Sequence, residues 1–268
     1  MTTPSVLLLR TAGTNCDREL ANAFTLAGAA VTSLHINQLL ANPTALAAPH
    51  ILAFPGGFSY GDDIASGKIL ANQLIHHLKA PLRQFIDDGK LILGICNGFQ
   101  VLVKSGLLPG PMAQLAPADW HPTTLTYNTN GRFQDRWVTI RSESGLCKWF
   151  PKNRTMRVPI AHGEGRFVTR TPEILAALKE NDQIAFRYID EAGQPAKTFP
   201  ANPNGSTESI AGICDVTGRV LGLMPHPERI CDPLNHPQWT RTGAETPEGL
   251  LLFQTAVEYI RSQQAVTV

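Results

Sequence analysis

The sequence predicts an α/β protein built on an open, doubly wound, mostly parallel sheet flanked by helices, with some antiparallel additions. Three observations predict it. Strand-length apolar runs alternate with longer amphipathic stretches through roughly the first hundred residues, the spacing produced when crossover helices join parallel strands. Apolar residues make up 43% of the 268 and charged residues 17%, a balance that buries a full core and is far from that of a disordered chain. No internal repeat, low-complexity tract or clean linker interrupts the pattern, so residues 1–268 read as one domain.

The elements follow in order. SVLLL (5–9) is a buried strand and 17–27 a helix; 30–35 and 50–54 are strands. Residues 68–79 and 81–88 read as two helical pieces, followed by the strand 91–95 and a helix over about 98–104. Beyond Gly106 the pattern is less regular, with PGPMAQLAPADW a loop and 136–141 a strand. Residues 157–161, 184–189, 210–215 and 220–224 are further strands, some of them antiparallel; 172–179 and 249–262 are helical. Polar loops are expected near FPANPNGSTES and CDPLNHPQW.

Composition removes several function classes. Net charge is +1, from 23 basic and 22 acidic side chains, so no basic excess marks a surface for nucleic acid or an anionic membrane. The apolar runs are strand-sized and much too short to cross a bilayer, and MTTPSVLLLR reads as a strand rather than a signal peptide. The five cysteines (Cys16, Cys96, Cys147, Cys214, Cys231) are scattered, with no C-x-x-C pair. Neither a disulfide framework nor a zinc ribbon is expected, and a reducing cytoplasm is the natural setting.

Three loops at the ends of predicted strands carry chemistry. In FPGGFSYGDD, Gly56 and Gly57 allow positive φ, which lets backbone N–H groups converge on a ligand; a plain tight turn explains a Gly-Gly pair as well. GDDIASGK is not a phosphate loop, because it has one residue too many, Ile69 replaces the Ser or Thr, and Asp62 and Asp63 would repel phosphate. In LGICNGFQ, Cys96 stands between Gly94 and Gly98 at a strand-to-helix turn, a nucleophile-elbow pattern. The helix N-terminus favours a thiolate there, and the Asn97 N–H is a natural oxyanion donor. That stretch alone leaves Cys96 between nucleophile and packed core thiol. In GLMPHPER, Pro227 pushes His226 toward an extended conformation that sets it beside Glu228, a base with its orienting acid, or else an exposed turn. All three loops can converge at one sheet edge, and that constellation moves Cys96 toward catalysis.

These residues resemble the class I, triad-type glutamine amidotransferases, whose G-x-C-x-G-x-Q is met by Gly94, Cys96, Gly98 and Gln100 and whose P-H-P-E is met by Pro225 to Glu228. TNCDREL, GGFSYGDD, GICNGFQ, AHGEGRF, FPANPNGS and GLMPHPER are similar to one branch, the glutaminase subunits and domains of phosphoribosylformylglycinamidine synthase, over residues 6–259. The resemblance implies a flavodoxin-like amidotransferase fold with Cys96 as nucleophile on glutamine, His226 carrying the proton to departing ammonia, and Glu228 orienting His226. Gly57, Phe58 and Asn97 would form the oxyanion and substrate-binding loop, and Gln100 would help hold the glutamine. Residues 162–165 would line the glutamine pocket or a partner interface, with a glycine-rich loop bearing a surface histidine the other reading of His162. Cys16, with no base near it in sequence, is expected to be a structural or interface residue.

No metal or cofactor is expected in this chain. ATP and magnesium would belong to a large synthetase subunit that receives the ammonia, accompanied in separate-subunit systems by a small bridging subunit. Another triad amidotransferase or a stand-alone hydrolase of the same fold, and a catalytically silent binding or scaffold subunit, are the competing readings. The presence of all three triad members tells against the scaffold.

Overall fold

A computed structural model describes residues 2–110, 121–242 and 247–266. In chain order the elements are β1 (Ser5–Arg10), α1 (Asp17–Leu26), β2 (Ala30–His35), α2 (Ile36–Ala41), β3 (Ile51–Phe54), α3 (Lys68–His77), α4 (Lys79–Asp87), β4 (Leu91–Ile95) and α5 (Asn97–Lys104). They continue with β5 (Thr123–Thr126), β6 (Gln134–Ser142), β7 (Thr155–His162), β8 (Arg166–Thr169), α6 (Pro172–Glu180), β9 (Ile184–Ile189), β10 (Ile210–Cys214), β11 (Val220–Leu223), α7 (Trp239–Thr242) and α8 (Glu248–Val266).

One nine-stranded sheet has the order β2-β1-β3-β4-β11-β10-β9-β6-β7. Its first half is parallel, β1 pairing with β2 and β3, and β4 with β3 and β11. This is the strand order of flavodoxin-like doubly wound sheets, in which ligands sit outside the carboxyl ends of the strands. The second half is antiparallel throughout, from β11 across β10, β9 and β6 to β7. The antiparallel additions therefore match the parallel part in number of pairings. A separate ribbon pairs β5 with β8.

The central strands explain the sequence pattern. β3, β4, β9, β10 and β11 are buried at every residue, so they read as apolar runs rather than alternations, broken in β9 by Arg187, which pairs with Glu143. At the edge, β7 alternates, burying Met156, Val158, Ile160 and His162. Helices α3 and α4 abut at Leu78, and Pro81 is tolerated because it falls in the first turn of α4, where no helical N–H is missed. The short strands β5 (TTLT) and β8 (RFVT) and helix α2 carry too few apolar positions for a period to be read from sequence. The expected strand at 136–141 extends to Gln134–Ser142. The expected loop PGPMAQLAPADW lies, from Pro111 onward, outside the described residues.

Candidate active site

β4 runs into Cys96, where the backbone turns at φ 52° and ψ −107° before α5 begins. Positive φ at a non-glycine residue costs about 1–3 kcal/mol. The surroundings hold it: Cys96 N–H donates to Leu223 O at 2.8 Å, and its carbonyl accepts from Gln100 N–H at 3.2 Å. The small neighbours are obligatory. A methyl group on Gly94 would stand 2.6 Å from the Gly98 carbonyl, and one on Gly98 would stand 2.1 Å from Phe54 O. The elbow therefore depends on α5 lying directly against β3 and β4, with the thiol only 5% exposed.

The segment after β11 brings the base. His226 N–H donates to Pro159 O at 2.9 Å, tying this loop to β7. His226 caps a short 3-10 turn, Pro227–Arg229, and that turn rather than a simple extended run sets His226 Nδ1 2.6 Å from Glu228 Oε1. Both side chains are buried. Burial opposes charge on the imidazole, but Glu228 outweighs it, aided by Cys96 and Cys16, and the pKa of His226 is raised well above its ordinary value. Its other nitrogen, Nε2, is buried with no hydrogen-bond partner among the described residues. Gly56 shows how tightly these groups meet, because a methyl placed on it would stand 2.9 Å from His226 Cε1, 3.1 Å from Cys16 Sγ and 3.4 Å from Cys96 Cβ.

The loop after β3 closes the site. Gly57 has φ 140°, and any side chain there would meet Gly13 O at 2.6 Å. Phe58 uses its N–H on Gly13 O at 2.9 Å and presents a ring 44% exposed, so its contribution to the rim is the ring and not its amide. The N–H groups of Gly57 and Asn97 have no backbone acceptor among the described residues; for Asn97, at the first position of α5, that is inherent in a helix start.

The side chain of Asn97 fastens this loop to α5. Its Oδ1 accepts from Ser59 N–H at 3.1 Å, while Nδ2 donates to Asp62 Oδ1 at 3.2 Å and to Gln100 Oε1 at 2.9 Å. Gln100 in turn donates to Glu164 O at 2.7 Å. Asp62 accepts from Ser66 Oγ at 2.8 Å, and burial raises its carboxyl above the ordinary range. Asp62, which sequence offered only as an obstacle to phosphate, is thus a fastening of the loop.

A second layer comes from the antiparallel half. Cys96 Sγ faces Ala161 O at 3.7 Å, and the next residue, His162, is 3% exposed with both ring nitrogens unpartnered among the described residues. Burial, with His226 nearby, lowers the His162 pKa to about 3. His162 is not the surface residue that a glycine-rich loop suggests. Gly165 leaves the space its ring occupies, since a methyl there would be 2.2 Å from Cε1. The expected polar loop in FPANPNGSTES is likewise buried in part: Asn204 donates to Gly165 O at 2.8 Å and to Tyr188 Oη at 3.3 Å, and accepts from Ser206 Oγ at 2.7 Å.

Sequence reasoning also left Cys16 without a neighbouring base, and the fold corrects this. At the head of α1, 2% exposed, its sulfur receives a hydrogen bond from Arg229 Nη2 at 3.2 Å and lies within 4.8 Å of ligand atoms of His226 and Glu228. The signals were present as TNCD and PHPER, but their proximity depends on β1 and β11 opening onto the same edge of the sheet.

The family model of the CobB/CobQ-like glutamine amidotransferase domain matches residues 3–260. Phosphoribosylformylglycinamidine synthase subunit PurQ of Methanococcus maripaludis is 44% identical over 268 residues, covering 96% of this chain and 97% of that one. The protein of the same name from Dehalococcoides mccartyi is 43% identical, covering 97% and 99%. Among solved structures, one of PurLQS from Thermotoga maritima superposes with a TM-score of 0.71 at 28% identity, covering 97% of this chain and 100% of that one.

Proposed function

The chain belongs to the CobB/CobQ-like glutamine amidotransferase family, and from that premise we propose that Cys96, His226 and Glu228 are the triad with which it releases ammonia from glutamine. It is a glutamine amidotransferase of phosphoribosylformylglycinamidine synthase, the role carried by the relatives it matches along nearly its full length. The observation that carries the residue assignment is the strained Cys96 elbow meeting the buried His226–Glu228 pair at Gly56, with His226 Nε2 left without a partner among the described residues.

The steps follow from this arrangement. His226, whose affinity for a proton is raised by Glu228 and Cys96, holds the proton given up by Cys96, and the sulfur attacks the side-chain amide carbon of glutamine. The oxyanion forms between the N–H groups of Gly57 and Asn97, two donors without a backbone acceptor among the described residues. His226, held in one tautomer by Glu228, delivers the proton to the departing ammonia, leaving a thioester on Cys96. Water then hydrolyses the thioester to glutamate. Gln100 reaches the substrate by exchanging one of its bonds to Asn97 or Glu164, and the Phe58 ring forms part of the pocket rim.

The chain acts with partners. Ammonia passes to the large synthetase subunit, which binds ATP and magnesium and converts formylglycinamide ribonucleotide to formylglycinamidine ribonucleotide; a small bridging subunit joins them. This chain needs no cofactor of its own and works as one domain in the cytoplasm. No helix among the described residues is long and apolar enough to cross a membrane.

The test is Cys96→Ala in the complex reconstituted with its synthetase. Glutamine-dependent product should disappear while ammonia-dependent product remains. Glutamine-dependent turnover retained by this variant would remove Cys96 from the mechanism.

A further inference from the structure

The triad histidine has a second sulfur beside it, and the glutaminase steps above give that sulfur no task. Cys16 is held on two sides: its S–H donates to Asn15 Oδ1 at 3.1 Å, and Arg229 Nη2 donates to its sulfur at 3.2 Å. Its backbone is fixed as well, since Cys16 N–H donates to Gly56 O at 3.2 Å. The sulfur, a His226 ring nitrogen and a Glu228 oxygen lie within 4.8 Å of one another. Gly56 has no side chain to separate Cys16 from His226.

The charges explain why this placement matters. Arg229 follows Glu228 directly, and its guanidinium bonds the sulfur that lies within 4.8 Å of a His226 ring nitrogen. A buried cation near another disfavours the charged imidazole. Cys16 is the acceptor that takes up the guanidinium on that side. The charged and titratable groups facing His226 are Glu228 on its own turn, Cys96 from the elbow, Cys16 from the head of α1 and His162 from β7. Arg229 bonds Cys16, and Glu228 and Glu19 of α1 favour its charge.

We propose that Cys16 is a positioning residue of the glutaminase reaction, its sulfur anchoring Arg229 away from His226 and steadying the imidazolium that forms when Cys96 gives up its proton. The role needs an acceptor of hydrogen bonds, not a thiol as such. It rests on the glutaminase assignment and adds to it a residue that acts through Arg229 and His226.

The experiment measures glutamine-dependent kcat and KM against pH in the reconstituted complex, for wild type, Cys16→Ala, Cys16→Ser and Cys16→Ala/Arg229→Gln. Ammonia-dependent turnover reports the integrity of each assembly. Losing one hydrogen bond to a charged group corresponds to about a ten- to hundredfold loss. Cys16→Ala should lose that much in kcat with KM within about twofold, and the limb of the pH profile set by His226 should move to lower pH. Cys16→Ser, which keeps an acceptor, should recover most of the rate. Removing the Arg229 charge from the alanine variant should restore part of it. An active wild type with Cys16→Ala unchanged in kcat and pH profile would overturn the role of Cys16 and leave the triad standing. Equal losses in the serine and alanine variants, or no recovery in the double variant, would also overturn it. A wild type without glutaminase activity would overturn the glutaminase reading and the role of Cys16 with it.

Discussion

The loop after β11 and the end of β7 each place a buried histidine beside the Cys96 elbow, and their pKa values are moved in opposite directions. His226 is 1% exposed and His162 is 3% exposed, so burial disfavours the imidazolium at both. At His226 a carboxylate 2.6 Å from Nδ1 reverses that penalty. At His162 no partner among the described residues does, and the pKa falls to about 3. One site supplies a proton carrier, the other a neutral wall. The difference lies in a single short turn, Pro227–Arg229, that delivers Glu228 to one ring and not to the other.

The largest effect should come from erasing that difference. Glu228→Gln keeps the shape of the pair but removes the charge, which should leave His226 under the same desolvation that governs His162. Glutamine-dependent kcat should fall about 10³–10⁴-fold, as expected when the orienting carboxylate of a triad becomes an amide, while ammonia-dependent turnover is retained. Steady-state kinetics of the complex with either nitrogen source measures both. A loss below tenfold would mean that the carboxylate does not set the state of His226.

The two histidines also mark how far the sequence could be read. His226 and Glu228 were legible because they sit two residues apart behind a proline, and Cys96 because Gly94 and Gly98 flank it after an apolar strand. The parallel half of the sheet was legible for the same reason, since its buried strands are continuous apolar runs between helices. His162 and Cys16 were not. Their burial and neighbours are set by which strand ends share an edge, and pairs such as Cys16–Arg229, more than two hundred residues apart, leave no local period. The buried role of NPNGS was hidden likewise: Asn and Ser signal a turn in any sequence, and distant partners such as Gly165, Tyr188 and Phe167 make this one an interior element.

Stability against pH sharpens the comparison, because the two rings should act in opposite windows. His226 has a folded pKa raised above the unfolded value. Its stabilisation is therefore complete below about 6.5 and is lost as pH rises through the folded pKa. His162 has a depressed folded pKa, so the unfolded chain binds the extra proton between about 6.5 and about 3 and stability falls as the medium acidifies. The slope from one such proton is about 1.4 kcal/mol per pH unit. Denaturant melts of His162→Gln from pH 7 to 4 should show a flatter acid side by up to that amount, with the alkaline side unchanged. An acid slope identical to that of the wild type would mean that His162 protonates freely in the folded chain.

Behind the two histidines, the second layer should respond in stability rather than in charge. Asn204 is fully buried, and its amide serves Gly165 O, Tyr188 Oη and Ser206 Oγ together. Asn204→Ala strips partners from buried polar atoms that water cannot reach, which costs about 1–3 kcal/mol. The loss should appear as a lower denaturation midpoint with the same dependence on pH as wild type, since no titrating group is removed. Glutamine KM should rise more than kcat falls, because Gly165 closes the loop that begins at His162 and includes Glu164, the acceptor of the Gln100 amide. Were kcat to fall by the factor seen for Glu228→Gln, the separation between a charged catalytic edge and a neutral supporting layer would be lost, and the antiparallel half would have to be counted as part of the chemistry.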